Sequence, residues 1–268
     1  MAGAHIWGSH YVFRAGTVVL DAKWGDVNGD GTPDQVYLTG NPTGDINSSF
    51  IENIQLTVMD GRSGARYTKQ PKDNAGYNPR LFLGDFTGDR VDDILVSIES
   101  GGSGAFTYNF IYSFMQNVFH ELYNNDWFYE TYSDASVSYE DNYKVRIVNR
   151  SLKKEYLLDI SQRDPSYLSD LYDSKGKLKK PVEGSVMGVS GAYPIDLQGD
   201  GVYEIWPFQR VIGLYNADVL GYLQPPLNWD SQTSKFIPLF QWASVNGNDI
   251  LVDITRLNDY LHCDNTKR

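Results

Sequence analysis

Asp26-Val27-Asn28-Gly29-Asp30-Gly31-Thr32-Pro33-Asp34 sets oxygen-bearing side chains at alternate positions of a glycine-rich stretch. The arrangement returns at Asp85-Phe86-Thr87-Gly88-Asp89-Arg90-Val91-Asp92-Asp93 and at Asp196-Leu197-Gln198-Gly199-Asp200-Gly201-Val202-Tyr203-Glu204. Each copy has a carboxylate at positions 1, 5 and 9, a neutral oxygen donor at position 3 and Gly at position 4. Hard oxygens spaced in this way suit Ca²⁺, which takes about six to eight of them at roughly 2.3–2.6 Å. Isolated Asp-Gly stretches also form ordinary hairpin turns without any metal, so the recurrence carries the reading.

An EF-hand begins similarly but needs a bidentate Glu at position 12 and flanking helices. Position 12 falls here on Tyr37, Val96 and Pro207, which excludes it. The segments that follow, Gln35-Val36-Tyr37-Leu38-Thr39-Gly40, Ile94-Leu95-Val96-Ser97-Ile98 and Ile205-Trp206-Pro207-Phe208, are short, rich in β-branched and aromatic residues, and contain or end on turn residues in two cases. Such segments read as strands.

The run Trp24-Gly25 through Asp34-Gln35-Val36 resembles the signature of the FG-GAP/VCBS repeat, a blade-forming unit of calcium-binding β-propellers. Leu83-Gly84-Asp85 through Asp93-Ile94-Leu95 resembles a second copy, and Ile195-Asp196 through Glu204-Ile205 a looser third. The resemblance covers about a tenth of the chain. It implies three Ca²⁺ sites, held by side chains at positions 1, 3, 5 and 9 and by the carbonyl at position 7. These are Asp26, Asn28, Asp30, Thr32 and Asp34; Asp85, Thr87, Asp89, Val91 and Asp93; and Asp196, Gln198, Asp200, Val202 and Glu204. Departures grade them. Position 6 is Gly31 and Gly201 in two loops but Arg90 in the other, where a left-handed turn strains a residue with a Cβ. The first loop is expected to bind best.

The loops begin at 26, 85 and 196, so their separations of 59 and 111 suggest a unit of about 55 residues with one unit lacking its acidic loop. The vacant place lies near residue 141, where Ser138-Tyr139-Glu140-Asp141-Asn142-Tyr143 reads as a plain hairpin turn. A further Asn246-Gly247 turn falls near the next period. The expectation is an all-β, single-domain β-propeller over residues 1–268, with five blades of about 50–60 residues. The ring would be closed by the N-terminal segment Ile6–Phe13 with the C-terminal segment. Alternatively, Ile254–His262 would form a capping helix.

Composition agrees: Tyr 19, Phe 12 and Trp 6 against Met 4 load sheet faces, while Gly 25 and Pro 11 supply turns. The net charge of −11 argues against nucleic acid, and three Ca²⁺ would bring it to −5. No apolar run reaches the length of a membrane helix. Calcium loops of extracellular modules work at about 10⁻⁴–10⁻³ M, so an extracellular or cell-surface place is expected. The single Cys263 allows no internal disulfide, which suits a bacterial exported protein. Met1–Trp7 has no signal-peptide pattern, so an export signal is expected to be absent from this form of the chain.

The scattered histidines His5, His10, His120 and His262 form no triad or metal pattern, and Gly101-Gly102-Ser103-Gly104 reads as a hairpin connection. No catalytic residue is singled out. Trp127-Phe128-Tyr129 and Pro225-Pro226-Leu227-Asn228-Trp229 could stack on sugars at a rim, or fill space between blades. The basic cluster Lys175–Lys180 reads as a solvated hairpin, or as a dock for an acidic partner or anionic polymer. The chain is thus expected to be a monomeric, calcium-stabilised, non-enzymatic binding or assembly module with a protein or glycan partner. A carbohydrate-binding lectin is the alternative, and a polysaccharide lyase or hydrolase a further one.

Overall fold

The computed structural model describes residues 16–44 and 47–245. The expected N-terminal closing strand, the Asn246-Gly247 turn and the alternative helix Ile254–His262 lie outside them. Every pairing between described strands is antiparallel.

The first unit is a meander of β1 (Val18–Gly25), β2 (Asp34–Pro42), β3 (Phe50–Met59) and β4 (Arg66–Lys69). The second repeats it with β5 (Gly76–Gly84), β6 (Asp93–Gly101), β7 (Phe106–Ser113) and β8 (His120–Asn124). A two-residue pairing, Phe50 with Tyr77 and Ile51 with Gly76, joins them into one sheet. Helix α1 (Asn125–Tyr132) leads to the hairpins of β9 (Ala135–Glu140), β10 (Lys144–Asn149) and β11 (Lys154–Asp159). Helix α2 (Pro165–Leu171) precedes β12 (Glu183–Ile195), β13 (Glu204–Ile212), β14 (Val219–Gln224), β15 (Leu227–Asp230), β16 (Lys235–Pro238) and β17 (Trp242–Ser244). Here β14 lies between β13 and β17, and pairing of β12 with β9 makes a second continuous sheet.

The all-β class therefore stands, as two large antiparallel sheets. A five-bladed ring is a finer arrangement than these strands establish. The unit without an acidic loop is where the spacing puts it: the β9–β10 hairpin turns at residues 141–143. Gly101–Gly104 likewise spans the β6–β7 hairpin. Two helices were not foreseen. Asn124 caps α1 by accepting the Trp127 N–H at 2.8 Å, and Asp164 caps α2 by accepting the Ser166 N–H at 2.7 Å. Asp164-Pro165 was legible as a cap followed by proline at the first helical position.

Burial follows strand position. β10 alternates half-buried and buried along Lys144-Val145-Arg146-Ile147-Val148-Asn149, as a one-sided strand should. By contrast, Asp34 through Gly40 of β2 are buried without alternation, and β6 and β13 are nearly so, because both faces are covered. One core fills the first sheet around Val36, Leu56, Ile94 and Tyr112. Another lies under β9–β11 around Val145, Ile147 and Leu223. A third joins the sheets, packing Phe86, Leu95 and Ile111 of the first against Val189, Ile205 and Phe236 of the second.

Candidate metal loops and the cavities beside them

Each acidic loop connects the first two strands of its unit in one register. Gly25 faces Asp34, Gly84 faces Asp93, and Ile195 faces Glu204 across the strand pair. The loops close by the same internal hydrogen bonds. At position 1, Asp26 accepts the N–H groups of Gly29 at 2.9 Å and Gly31 at 2.8 Å. Asp85 accepts those of Gly88 at 2.6 Å and Arg90 at 2.8 Å, and Asp196 those of Gly199 at 2.6 Å and Gly201 at 3.0 Å. At position 5, Asp30, Asp89 and Asp200 accept from Thr32, Val91 and Val202 at 2.8, 2.9 and 3.0 Å. At position 9, Asp34, Asp93 and Glu204 accept from Val27, Phe86 and Leu197 at 3.1, 3.0 and 2.9 Å. A nine-residue Asx-rich segment folds this way because short acidic side chains reach their own backbone donors.

The position 9 carboxylates are buried at the base of each loop. Burial raises Asp34, against the N–H groups of Gly61 and Val27 that lower it. Burial pushes Asp93 up to about 7, opposed by the Phe86 N–H and reinforced by Asp89. Arg90 has φ +68°, the left-handed conformation that its position demands and that its Cβ resists. In the first loop Arg62 brings Nε to 3.3 Å from Asp30 Oδ2 and donates to the Asp30 carbonyl at 2.8 Å. A cation from the β3–β4 turn thus already faces that carboxylate.

The three loops are also stacked. The Asp92 N–H donates to the Asp26 carbonyl at 3.0 Å, and the Tyr203 N–H to the Asp85 carbonyl at 2.7 Å. Position 8 of one loop therefore bonds position 1 of the loop before it. Pro33 occupies position 8 of the first loop and has no N–H to offer, which suits the end of the row. Asp92 was missed as part of this seam. Its carboxyl is raised by burial first, then by Asp26 and Asp85. A carboxylate one place before a ligand position was the available signal.

The donor chemistry of each loop, all hard oxygen, suits Ca²⁺. In the second loop Thr87 Oγ1 is buried beside the Asp93 carboxylate, whose pKa its hydroxyl lowers. The carboxylates do not converge on one point: among the described residues no three His, Cys, Asp or Glu groups form a metal cluster. Their oxygens are instead shared with loop N–H groups.

Trp127 and Trp229, the aromatics considered for sugar stacking, are half-buried in the core between the sheets, packing against Tyr123 and Phe236. Trp24 is the exposed tryptophan beside a loop, at 60%. Lys175–Lys180 lies in an exposed turn closed by a bridge between Tyr172 and Leu178.

Beside the third core lie two adjoining cavities of 580 and 450 Å³. Phe106, Thr107 and Asn109 of β7 line both. The larger also holds Asp73, whose carboxyl burial raises, and the Lys72–Asp126 ion pair. Nothing in the sequence marked these residues, because β7, α1, β12 and β13 bring them together only by folding.

A family model described as the YybI C-terminal domain matches residues 133–244, which hold β9 through β17 and the third loop. The chain is similar to the uncharacterized protein YybI of Bacillus subtilis (strain 168), at 39% identity over 243 residues, 90% of this chain and 91% of the relative. These matches overturn the resemblance to FG-GAP/VCBS repeats. The kinship spans nine-tenths of the chain, whereas the loops that suggested the other family are short. Oxygen-rich turns reflect loop chemistry, and that chemistry arises without common descent.

Proposed function

The chain belongs to the YybI family, and from that premise we propose that it is a calcium-stabilised, non-enzymatic binding or assembly module working outside the cell or at its surface. The observation that carries this is the stacking of three loops with one hydrogen-bond pattern and one strand register. Asp26, Asn28, Asp30, Asp34 and the Thr32 carbonyl would hold an ion in the first loop. The equivalent positions would do so around Asp85 and Asp196. A bound ion would supply positive charge to offset the crowded carboxylates. In this reading the chain is a single monomeric unit, and the repeated meanders support a ring of five units closed through its terminal segments.

The loops join β1 to β2, β5 to β6 and β12 to β13, so tightening the row would stiffen both sheets. Linkage supplies the magnitude: a site whose Kd lies tenfold below free calcium adds about 1.4 kcal/mol. Calorimetric melting in CaCl₂ and in EGTA tests the reading. The expected result is a higher Tm in calcium, with the gain reduced by Asp26→Ala and Asp85→Ala. Identical curves in calcium and EGTA would overturn it.

A further inference from the structure

We propose that the two cavities sharing Phe106, Thr107 and Asn109 form one groove that binds an uncharged oligosaccharide. This rests on the binding-module reading but not on calcium. The larger cavity is walled by neutral polar side chains from different elements: Thr107 and Asn109 of β7, Asn125 of α1 and Gln209 of β13. Asn109 and Gln209 are each 1% exposed. Buried amides are costly unless paired, so such a concentration calls for a reason.

The pairing is one-sided. Asn109 Nδ2 donates to Thr107 Oγ1 at 2.8 Å, and Gln209 Nε2 donates to Ser133 Oγ at 3.0 Å and the Met187 carbonyl at 3.2 Å. Their donors are thus occupied by the protein, while Asn109 Oδ1 and Gln209 Oε1 have no partner and are closed to solvent. A ligand that draws these oxygens toward the cavity must donate to them. Hydroxyl groups do so, whereas phosphate and carboxylate offer only acceptors. The formal charges nearby point the same way. Asp73 and Asp126 stand against the single Lys72, and in the second cavity Arg80 pairs with Glu99 at 3.4 Å. An anionic polymer would meet repulsion there.

Apolar surface is present in the form sugars use. The Phe106 ring forms the shared wall, and Tyr193, 51% exposed, stands at the second cavity. Flat rings cover the C–H faces of a pyranose while its hydroxyls face the polar wall. Both volumes lie within the roughly 300–1,000 Å³ of small-molecule sites, and their continuity along β7 favours several linked sugar units over one.

Isothermal titration of the full chain with cellotetraose, maltotetraose, mannotetraose and N-acetylchitotetraose tests this, each in calcium and in EGTA. At least one tetrasaccharide should bind at millimolar concentration or tighter. Tyr193→Ala, an exposed change that spares the core, should weaken it by about tenfold. Gln209→Ala should do likewise, and inorganic phosphate should not compete. Heat from none of the four would overturn the groove, as would binding that Tyr193→Ala leaves unchanged. Sugar binding without any calcium effect on Tm would retain the groove and remove the calcium reading. A calcium effect without sugar binding would do the reverse.

Discussion

Gly84 lies so close to Tyr203 that a Cβ on it would come within 2.9 Å of the tyrosine ring. Gly25 stands in the same relation to Asp92, whose Oδ2 would be 2.4 Å from such a Cβ. These are equivalent places in successive loops, and they set the distance at which one loop rests on the next. Ile195 holds that position in the third loop, so the side chain returns where the row ends.

Gly84→Ala should therefore destabilise the protein by about 1–3 kcal/mol, since the Phe82 and Tyr203 rings on either side have little room to retreat. Denaturant melting checks it. A neutral result would mean that the stacking of the loops is loose.

Asp93 sets a pH dependence. Its folded pKa of about 7 lies above the ordinary carboxylate value of 3.8, so its contribution to stability is complete below the lower value and is lost as pH rises through the higher one. In EGTA, Tm should fall between pH 5 and 7, and Asp93→Asn should flatten that part of the profile. Saturating calcium should oppose the fall by favouring the carboxylate. An unchanged slope in the Asn variant would show that Asp93 is already ionised.

Arg90→Gly should raise stability by about 1 kcal/mol, because φ +68° costs a residue with a Cβ and not glycine. The same change removes a cation from the second loop, so calcium should gain affinity there. Melting at several calcium concentrations separates the two effects.

Asp218 provides a control far from the loops. Its buried carboxylate accepts from Arg163 at 2.7 Å, the Tyr167 hydroxyl at 2.8 Å and the Leu214 N–H at 2.9 Å. Arg163→Met should cost about 2 kcal/mol by leaving the charge uncompensated, less than for a fully buried pair because Arg163 is partly exposed. Adding Asp218→Asn should recover part of the loss. Neither change should alter the response to calcium.

Much of the local order was present in the residues themselves. Asp26 through Asp34 dictates its own loop, because its acceptors and donors lie within nine residues, and Val36 or Ile94 then commits the next segment to a strand. The period between loops located even the β9–β10 hairpin that lacks one. Resemblance misled on ancestry for the same reason: a loop this short is specified by chemistry that unrelated chains can share.

Only the tertiary structure decided how the loops meet and what lies behind them. The bond from Tyr203 to Asp85 spans more than a hundred residues, and the walls of the groove come from β5 through β8, α1, β12 and β13. No periodicity encodes such contacts. They follow from the packing of two sheets around Phe86, Val189 and Phe236, which brings Asn109 and Gln209 to one cavity and leaves their carbonyl oxygens unpaired.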